Sequence, residues 1–320
     1  MSRWPTATTL PGTDRSILRI GLGAMPLSLA GRPDRDDARA LIRHAVEGGV
    51  DLIDSADAYA LDDPDMGHNE RLIGGVLREM GFDPGAGLDE DGPVVATKGG
   101  RTRPDGRWAI DGRPEHLRAA CHASLKALET ERIALYQLHT PDPEVPFSDS
   151  VGALARLREE GKIGLVGLSN VSPAQIGEAR AIVPIASVQN ALSAWDTGFR
   201  RPPVVTRCAE NGIVFMAYAP LGGSGRAAAL ADVPALAALG DGLGATPQEL
   251  ALAWLLDLDP VVVPIPGATR TRSVDSSLRA LDLDLDEDAV RRLHKALRRM
   301  PGRRGILSRI ISKVGLLLGG

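Results

Sequence analysis

Aromatic side chains are scarce in this 320-residue chain: phenylalanine, tryptophan and tyrosine together make 3%, and the only tyrosines are Tyr59, Tyr136 and Tyr218. Cysteine is scarcer still. Cys121 and Cys208 both fall in helix-like segments, which excludes a disulfide framework and fits a reducing compartment. No apolar run approaches the roughly 18 residues of a membrane span, and Met1 to Leu10 lack the apolar core of a secretory leader, so the expected location is cytoplasmic, away from membrane. A net charge of −4 leaves no polybasic footprint for nucleic acid. Zinc-ligand spacing is absent among His44, His68, His116, His122, His139 and His294, so no metal is expected. Asp282-Leu-Asp-Leu-Asp opens like a calcium loop, but Glu287 stands at the required glycine and Leu293 at the required glutamate. Asp286 reads instead as the N-cap of a helix over 287–297. Gly21-Leu-Gly-Ala-Met-Pro has no third glycine and no helix directly behind it, which argues against a doubly wound nucleotide-binding sheet.

What is present is globular composition, 43% hydrophobic and 24% charged. Short apolar strand patterns at Ile17–Leu22, Val50–Ile53, Pro93–Ala96, Ile133–Leu138, Ile163–Gly167, Ala186–Val188, Ile213–Ala217 and Val261–Ile265 alternate with amphipathic stretches. Among those stretches are Asp36–Glu47, Asn69–Met80, Arg113–Glu129, Phe147–Glu160 and Gln248–Leu256. Strands too short and too apolar for a half-exposed sheet, each followed by a helix, predict an α/β fold of the (β/α)8 barrel type. One barrel domain is expected over 1–320. Residues 1–16 are expected to form a β-hairpin lid on its floor, and the amphipathic, basic tail at 301–320 a helical cover. Gly99–Arg113 and Ala219–Gly244 read as long loops after strand ends, which in a compact domain usually carry function.

The chemistry gathers at strand ends. Asp54 and Tyr59 follow the second strand, Lys98 the third and His139 the fourth, and such ends converge on the working face of a barrel. A nearby ammonium lowers the pKa of a phenol, so Lys98 is expected to make Tyr59 a usable acid, Asp54 to hold Lys98, and His139 to orient a carbonyl. Ser169, Asn170 and Gln189 end the fifth and sixth strands and suit a carboxamide, while Tyr218 can stack on a flat ring. After the eighth strand, Gly267 to Thr269 offer backbone N–H groups at a helix start, and Arg270 and Arg272 offer forked donors for phosphate. Trp108, Trp195 and Met25 are the expected large pocket walls.

Taken together, Asp-x4-Tyr, the distant lysine and histidine, Gly-Leu-Ser-Asn, the glutamine, Ala-Tyr-Ala-Pro-Leu-Gly and Ile-Pro-Gly-Ala-Thr-Arg resemble the aldo-keto reductases over Gly21 to Leu281. The resemblance implies a catalytic tetrad of Asp54, Tyr59, Lys98 and His139, and NADPH in an extended pose, with NADH the lesser alternative. It implies a cofactor cradle of Gly23, Ala24, Met25 and Asp54, of Ser169, Asn170 and Gln189, and of Tyr218, Pro220, Leu221, Gly222 and Gly223. The cradle continues through Ile265, Gly267, Ala268, Thr269, Arg270, Ser273 and Ser277. Ser273 and Ser277 depart from the family, which often has a basic residue and an asparagine there, so the preference for NADPH leans on Arg270, aided by Arg272. The implied partner is a small carbonyl substrate. A second reading, after the related potassium-channel β-subunits, is a sensor that holds the cofactor with little turnover.

Overall fold

The computed structural model describes residues 3–89, 92–195, 201–223 and 225–298. Eight parallel strands follow one another around a barrel: β1 (Leu22–Gly23), β2 (Leu52–Asp54), β3 (Val94–Gly99), β4 (Ile133–Leu138), β5 (Ile163–Ser169), β6 (Ile185–Ala191), β7 (Val214–Tyr218) and β8 (Val262–Ile265). The ring closes between its ends: the Gly21 and Gly23 amides donate to Pro264 O and Pro266 O at 3.0 Å each, and Gly23 bridges Gly267. This closure explains the two early glycines. A Cβ on Gly23 would stand 2.7 Å from Ile265 O, and one on Gly21 2.9 Å from Leu52 O.

Strand alternation divides the apolar residues into two buried layers. Leu52, Val94, Ala96, Leu135, Leu165, Val214, Met216 and Val263 fill the barrel interior with Leu10 and Ile17. Their neighbours Ile53, Val95, Tyr136, Val166 and Phe215 point outward into the layer shared with the helices. Several helices start on the expected signals. Pro114 opens Pro114–Leu128, Thr246 caps Pro247–Leu258 through a capping box with Glu249, and the Ala289 amide donates to Asp286 Oδ1 at 2.7 Å at the start of Glu287–Arg298. Cys121 and Cys208 are buried thiols pushed up to about 12 by that burial.

Three sequence expectations need correction. Ile17–Leu22 is not one strand: Ser16–Leu18 pairs antiparallel with Ala7–Thr9, so the floor hairpin runs to Leu18 rather than ending near residue 16. Arg19 separates the hairpin from β1. Its guanidinium is fully buried and donates to Pro5 O, Leu256 O, Asp259 O and Val262 O at 2.6–3.2 Å. Burial lowers its pKa to about 10, and the carbonyls it meets include the end of the Pro247–Leu258 helix, where a cation is favoured. The stretch at 219–244 is not a structureless loop, because it folds into Arg226–Ala229 and Pro234–Leu243, the latter burying Leu236 and Leu239. Gly99–Arg113 likewise contains a ribbon in which Arg101–Thr102 pairs with Ala109–Ile110. No described helix is long and apolar enough to cross a membrane, and the tail at 301–320 lies outside the described residues.

Candidate active site

The structure brings Asp54, Tyr59, Lys98 and His139 together at one barrel mouth. β3 is longer than its apolar core suggests, so Lys98 lies within a paired strand, opposite Gln137 of β4. Its Nζ donates at 2.8 Å to each carboxylate oxygen of Asp54, at 2.7 Å to Ser55 O and at 3.1 Å to the Tyr59 hydroxyl. Lys98 and Asp54 are both buried. An ammonium has only three N–H bonds, so four acceptors at this range hold it rigidly, with the phenol as its longest contact. Gln189 donates to Asp54 Oδ1 at 2.7 Å from across the barrel. The His139 ring meets Tyr59 edge-on, centroids 5.9 Å apart.

Electrostatics here differ from the sequence expectation. Burial, then the Asp54 and Tyr218 charges, push the Tyr59 phenol well above its ordinary value; among the charges named, only Arg101 pulls it down. The physical reason is that the Lys98 charge is countered by Asp54 at hydrogen-bond distance, so little of it acts on the phenol. Burial also lowers the Lys98 pKa, against the pull of Asp54. His139 is held well below the ordinary imidazole range by burial and by the Lys98 and Arg101 charges, and its buried Nδ1 has no partner. At neutral pH it is an uncharged ring, able to give a hydrogen bond to a carbonyl but a poor proton donor.

Around the rim, Asn170 takes a left-handed conformation, φ 58°, which asparagine tolerates better than most residues. Its side-chain nitrogen donates to His139 O at 2.9 Å and Ser169 Oγ at 3.1 Å, and its oxygen accepts from the Tyr218 hydroxyl at 2.8 Å. Ala219, directly before Pro220, sits at φ 48°, a strained position of the kind found at functional turns. Gly222 and Gly223 also have positive φ. Met25 is 40% exposed in the turn after Ala24, and the Ala24 amide donates to Asp54 O at 2.9 Å. On the far rim, Gly267, Thr269, Arg270 and Arg272 are exposed and Ala268 is buried. Arg270 stands at the N-cap of Thr271–Arg279 with no side-chain cap. Ser277 lies on the buried side of that helix, and its hydroxyl donates to Ser273 O at 2.8 Å.

The three expected pocket walls have different roles. Trp108 lies edge-on to His139 at 6.3 Å, beside the site. Trp195 holds the loop after β7: its indole N–H donates to Leu221 O at 3.1 Å, and a Cβ on Gly222 would reach within 2.3 Å of its ring. Met25 stays on the rim.

Sequence reasoning missed several polar residues around the mouth. Arg101 donates from Nε to Thr140 Oγ1 at 3.0 Å, and the Arg101 and Arg103 guanidiniums lie 5.5 and 4.2 Å from the Trp108 ring centroid. Two arginines in a loop that overhangs a strand end were the available signal. Asp57 and Glu70, both buried, lie behind Lys98. Thr97 Oγ1 donates to Glu70 Oε1 at 2.6 Å, but Glu70 Oε2 and both oxygens of Asp57 lack partners. Glu70 shares a helical stripe with Ile73, Gly74 and Leu77, and a glutamate on an apolar stripe is a legible anomaly.

Burial and the Glu70 charge raise Asp57 well above the ordinary carboxylate range. A folded pKa above the unfolded one stabilises at pH below the unfolded value and is lost as pH rises through the folded value. In Asp57→Asn the advantage in Tm over the parent is therefore expected to grow from pH 4 to pH 8. Growth of at least about 2 °C corresponds to about 1 kcal/mol in a chain of this size. A thermal-melt series in which the difference stays flat with pH contradicts the assignment.

The chain matches the model of the Aldo/keto reductase family over residues 19–298. It is 33% identical over 312 residues to probable aldo-keto reductase 1 of Glycine max, covering 88% of this chain and 86% of that protein. Its fold is similar to a glycerol dehydrogenase from Gluconobacter oxydans, at 25% identity and a TM-score of 0.76 over 93% of this chain and 97% of the other. It is also similar to an aldo-keto reductase from Klebsiella pneumoniae solved in complex with NADPH, at 24% identity and a TM-score of 0.72 over 95% and 98%. A closed eight-stranded barrel with a lysine, an aspartate and a tyrosine in mutual contact at its mouth thus coincides with a family match across nearly the whole chain, and the protein belongs to the aldo/keto reductases, a family of oxidoreductases.

Proposed function

We propose that the protein reduces an aldehyde or ketone to an alcohol, with NADPH as hydride donor and Tyr59 as the acid that protonates the new alkoxide. The observation that carries this reading is the Lys98 ammonium, pinned by Asp54 at 2.8 Å and touching the Tyr59 hydroxyl at 3.1 Å, beside an uncharged His139. His139, neutral, gives an N–H to the substrate carbonyl and fixes it. Tyr59 gives its proton as negative charge develops on that oxygen. A phenol is a far stronger acid than an alcohol even when burial raises its pKa, so the transfer runs downhill. Once the proton leaves, the Lys98 N–H already standing at 3.1 Å donates a hydrogen bond to the phenolate oxygen, although Asp54 counters most of the ammonium's charge.

The rim residues fit a nicotinamide cofactor. Ser169 Oγ accepts from Asn170 and keeps its own proton to donate, while Gln189 donates to Asp54 and keeps Oε1 to accept. One donor and one acceptor match the two ends of a carboxamide. Tyr218 offers its ring face, the Leu221–Gly223 loop held by Trp195 offers backbone to a pyrophosphate, and the uncapped start of Thr271–Arg279 offers amides to a phosphate. Bound NADPH supplies the hydride. The Klebsiella relative was solved with NADPH, which accords with this reading.

Preference for NADPH rests on the exposed Arg270, with the exposed Arg272 two residues further on. In Arg270→Ala, NADPH affinity measured by fluorescence titration is expected to fall at least about tenfold, the loss of one charge-assisted phosphate contact, while NADH affinity changes less than about twofold. Equal losses for both would place the 2′-phosphate elsewhere. The sensor reading has no feature of its own in its favour, since the lysine–aspartate–tyrosine contact is intact.

A further inference from the structure

Arg101 is a charged side chain at the mouth that the proton-transfer scheme leaves without a task. It is not in a free loop. The Arg101–Thr102 strand pairs with Ala109–Ile110, and the backbone enters it through Gly100 at φ 105°. The side chain is anchored by Nε on Thr140 Oγ1, the residue after His139, and Asn170 reaches the same hydroxyl at 3.3 Å. Its guanidinium lies 5.5 Å from the Trp108 ring, which in turn meets His139.

This cation has no counter-charge among the described residues. Among the described residues no carboxylate pairs with Arg101, and its two terminal nitrogens make no hydrogen bond. The groups it faces are Tyr59, Tyr218 and His139, none of them a carboxylate. Asp54 is in reach of the site, but Lys98 already takes both of its oxygens. Arg103 also lacks an acid among the described residues, yet its unpartnered nitrogens are buried and it donates to Leu61 O at 3.0 Å, so it supports Trp108 rather than meeting a ligand. A half-buried guanidinium without an anion is costly unless a ligand provides one, and burial indeed lowers the Arg101 pKa.

We propose that Arg101 is a specificity residue and that the substrate is a carbonyl compound bearing a carboxylate. One guanidinium with its Nε already engaged presents its remaining donors to one singly charged, planar group. Trp108 beside it provides an apolar wall for the linker between the carboxylate and the reacting carbonyl. A phosphate dianion would leave a charge uncompensated. The proposal rests on the reductase reading above.

The test compares 4-carboxybenzaldehyde with its neutral isostere 4-carbamoylbenzaldehyde, using NADPH and the full chain. The parent is expected to favour the carboxylate by at least about tenfold in kcat/KM, mostly through KM, a ratio that added salt reduces. In Arg101→Met that ratio is expected to fall to near one, and in Arg101→Lys to an intermediate value. An NADPH titration of each variant establishes that it is folded. A parent ratio near one, or a ratio unchanged in Arg101→Met, overturns the proposal while leaving the reductase reading intact, because the neutral aldehyde still reports turnover. Failure of the parent to oxidise NADPH with either aldehyde overturns both, and is distinguished by the absence of any turnover at all.

Discussion

Replacing Tyr59 by phenylalanine is expected to lower kcat by at least about 10³-fold, within the range set by loss of a positioned general acid. NADPH affinity should change less than about threefold, because the substitution removes only a hydroxyl. That hydroxyl accepts from Lys98 at 3.1 Å, the longest of the four contacts the ammonium makes, so the other three keep Lys98 in place when it is gone. Neither side chain next to the phenol replaces it: His139 is an uncharged ring at neutral pH, and Asp54 is committed to Lys98 and Gln189. Steady-state kinetics with a neutral aldehyde, beside a fluorescence titration of NADPH, checks both halves of the expectation. Activity of Tyr59→Phe within tenfold of the parent contradicts the role given to the phenol.

The second large effect concerns the buried ion pair. Lys98→Met leaves the Asp54 carboxylate buried without its cation, a change that costs about 3–5 kcal/mol when one partner of such a pair is removed. Thermal unfolding is expected to fall by about 10 °C, using roughly 2–4 °C per kcal/mol, and kcat by at least about 10²-fold. Adding Asp54→Asn removes the stranded charge. The double variant should therefore regain most of the lost stability while regaining none of the turnover. This split separates structure from chemistry: a double variant that recovers both shows that Lys98 serves only to hold the fold, and one that recovers neither shows that the loss is not electrostatic.

The barrel was legible because its strands are short, apolar and evenly spaced, and the site was legible because chemistry-bearing residues sit where those strands end. Lys98, Ser169 and Gln189 needed no knowledge of loop conformation, since each lies on or beside a paired strand. The misreadings have specific causes. Ile17–Leu22 reads as one apolar run, and only tertiary contacts reveal that Arg19 is pinned on four backbone carbonyls, dividing hairpin from barrel. Pro234–Leu243 was missed because an alanine- and glycine-rich decapeptide has little amphipathic contrast, although Leu236 and Leu239 still find the core. The direction of the Tyr59 pKa was misjudged by considering the Lys98 charge without the Asp54 charge that neutralises it. The scarcity of aromatics draws attention to Trp195, but only the folded chain shows that its indole N–H holds Leu221. Arg101 belongs to a loop ribbon whose register only the folded chain defines.

One measurement decides whether this molecule performs hydride transfer coupled to a Tyr59 proton. NADPH is bound to the parent and to Tyr59→Phe, each is mixed rapidly with excess 4-carbamoylbenzaldehyde, and the loss of reduced-nicotinamide absorbance is followed through a single turnover. The account predicts prompt, complete oxidation by the parent and oxidation slower by at least about 10³-fold in the variant. Tight binding of NADPH by the parent with no oxidation on mixing, or equal rates in the two proteins, contradicts it.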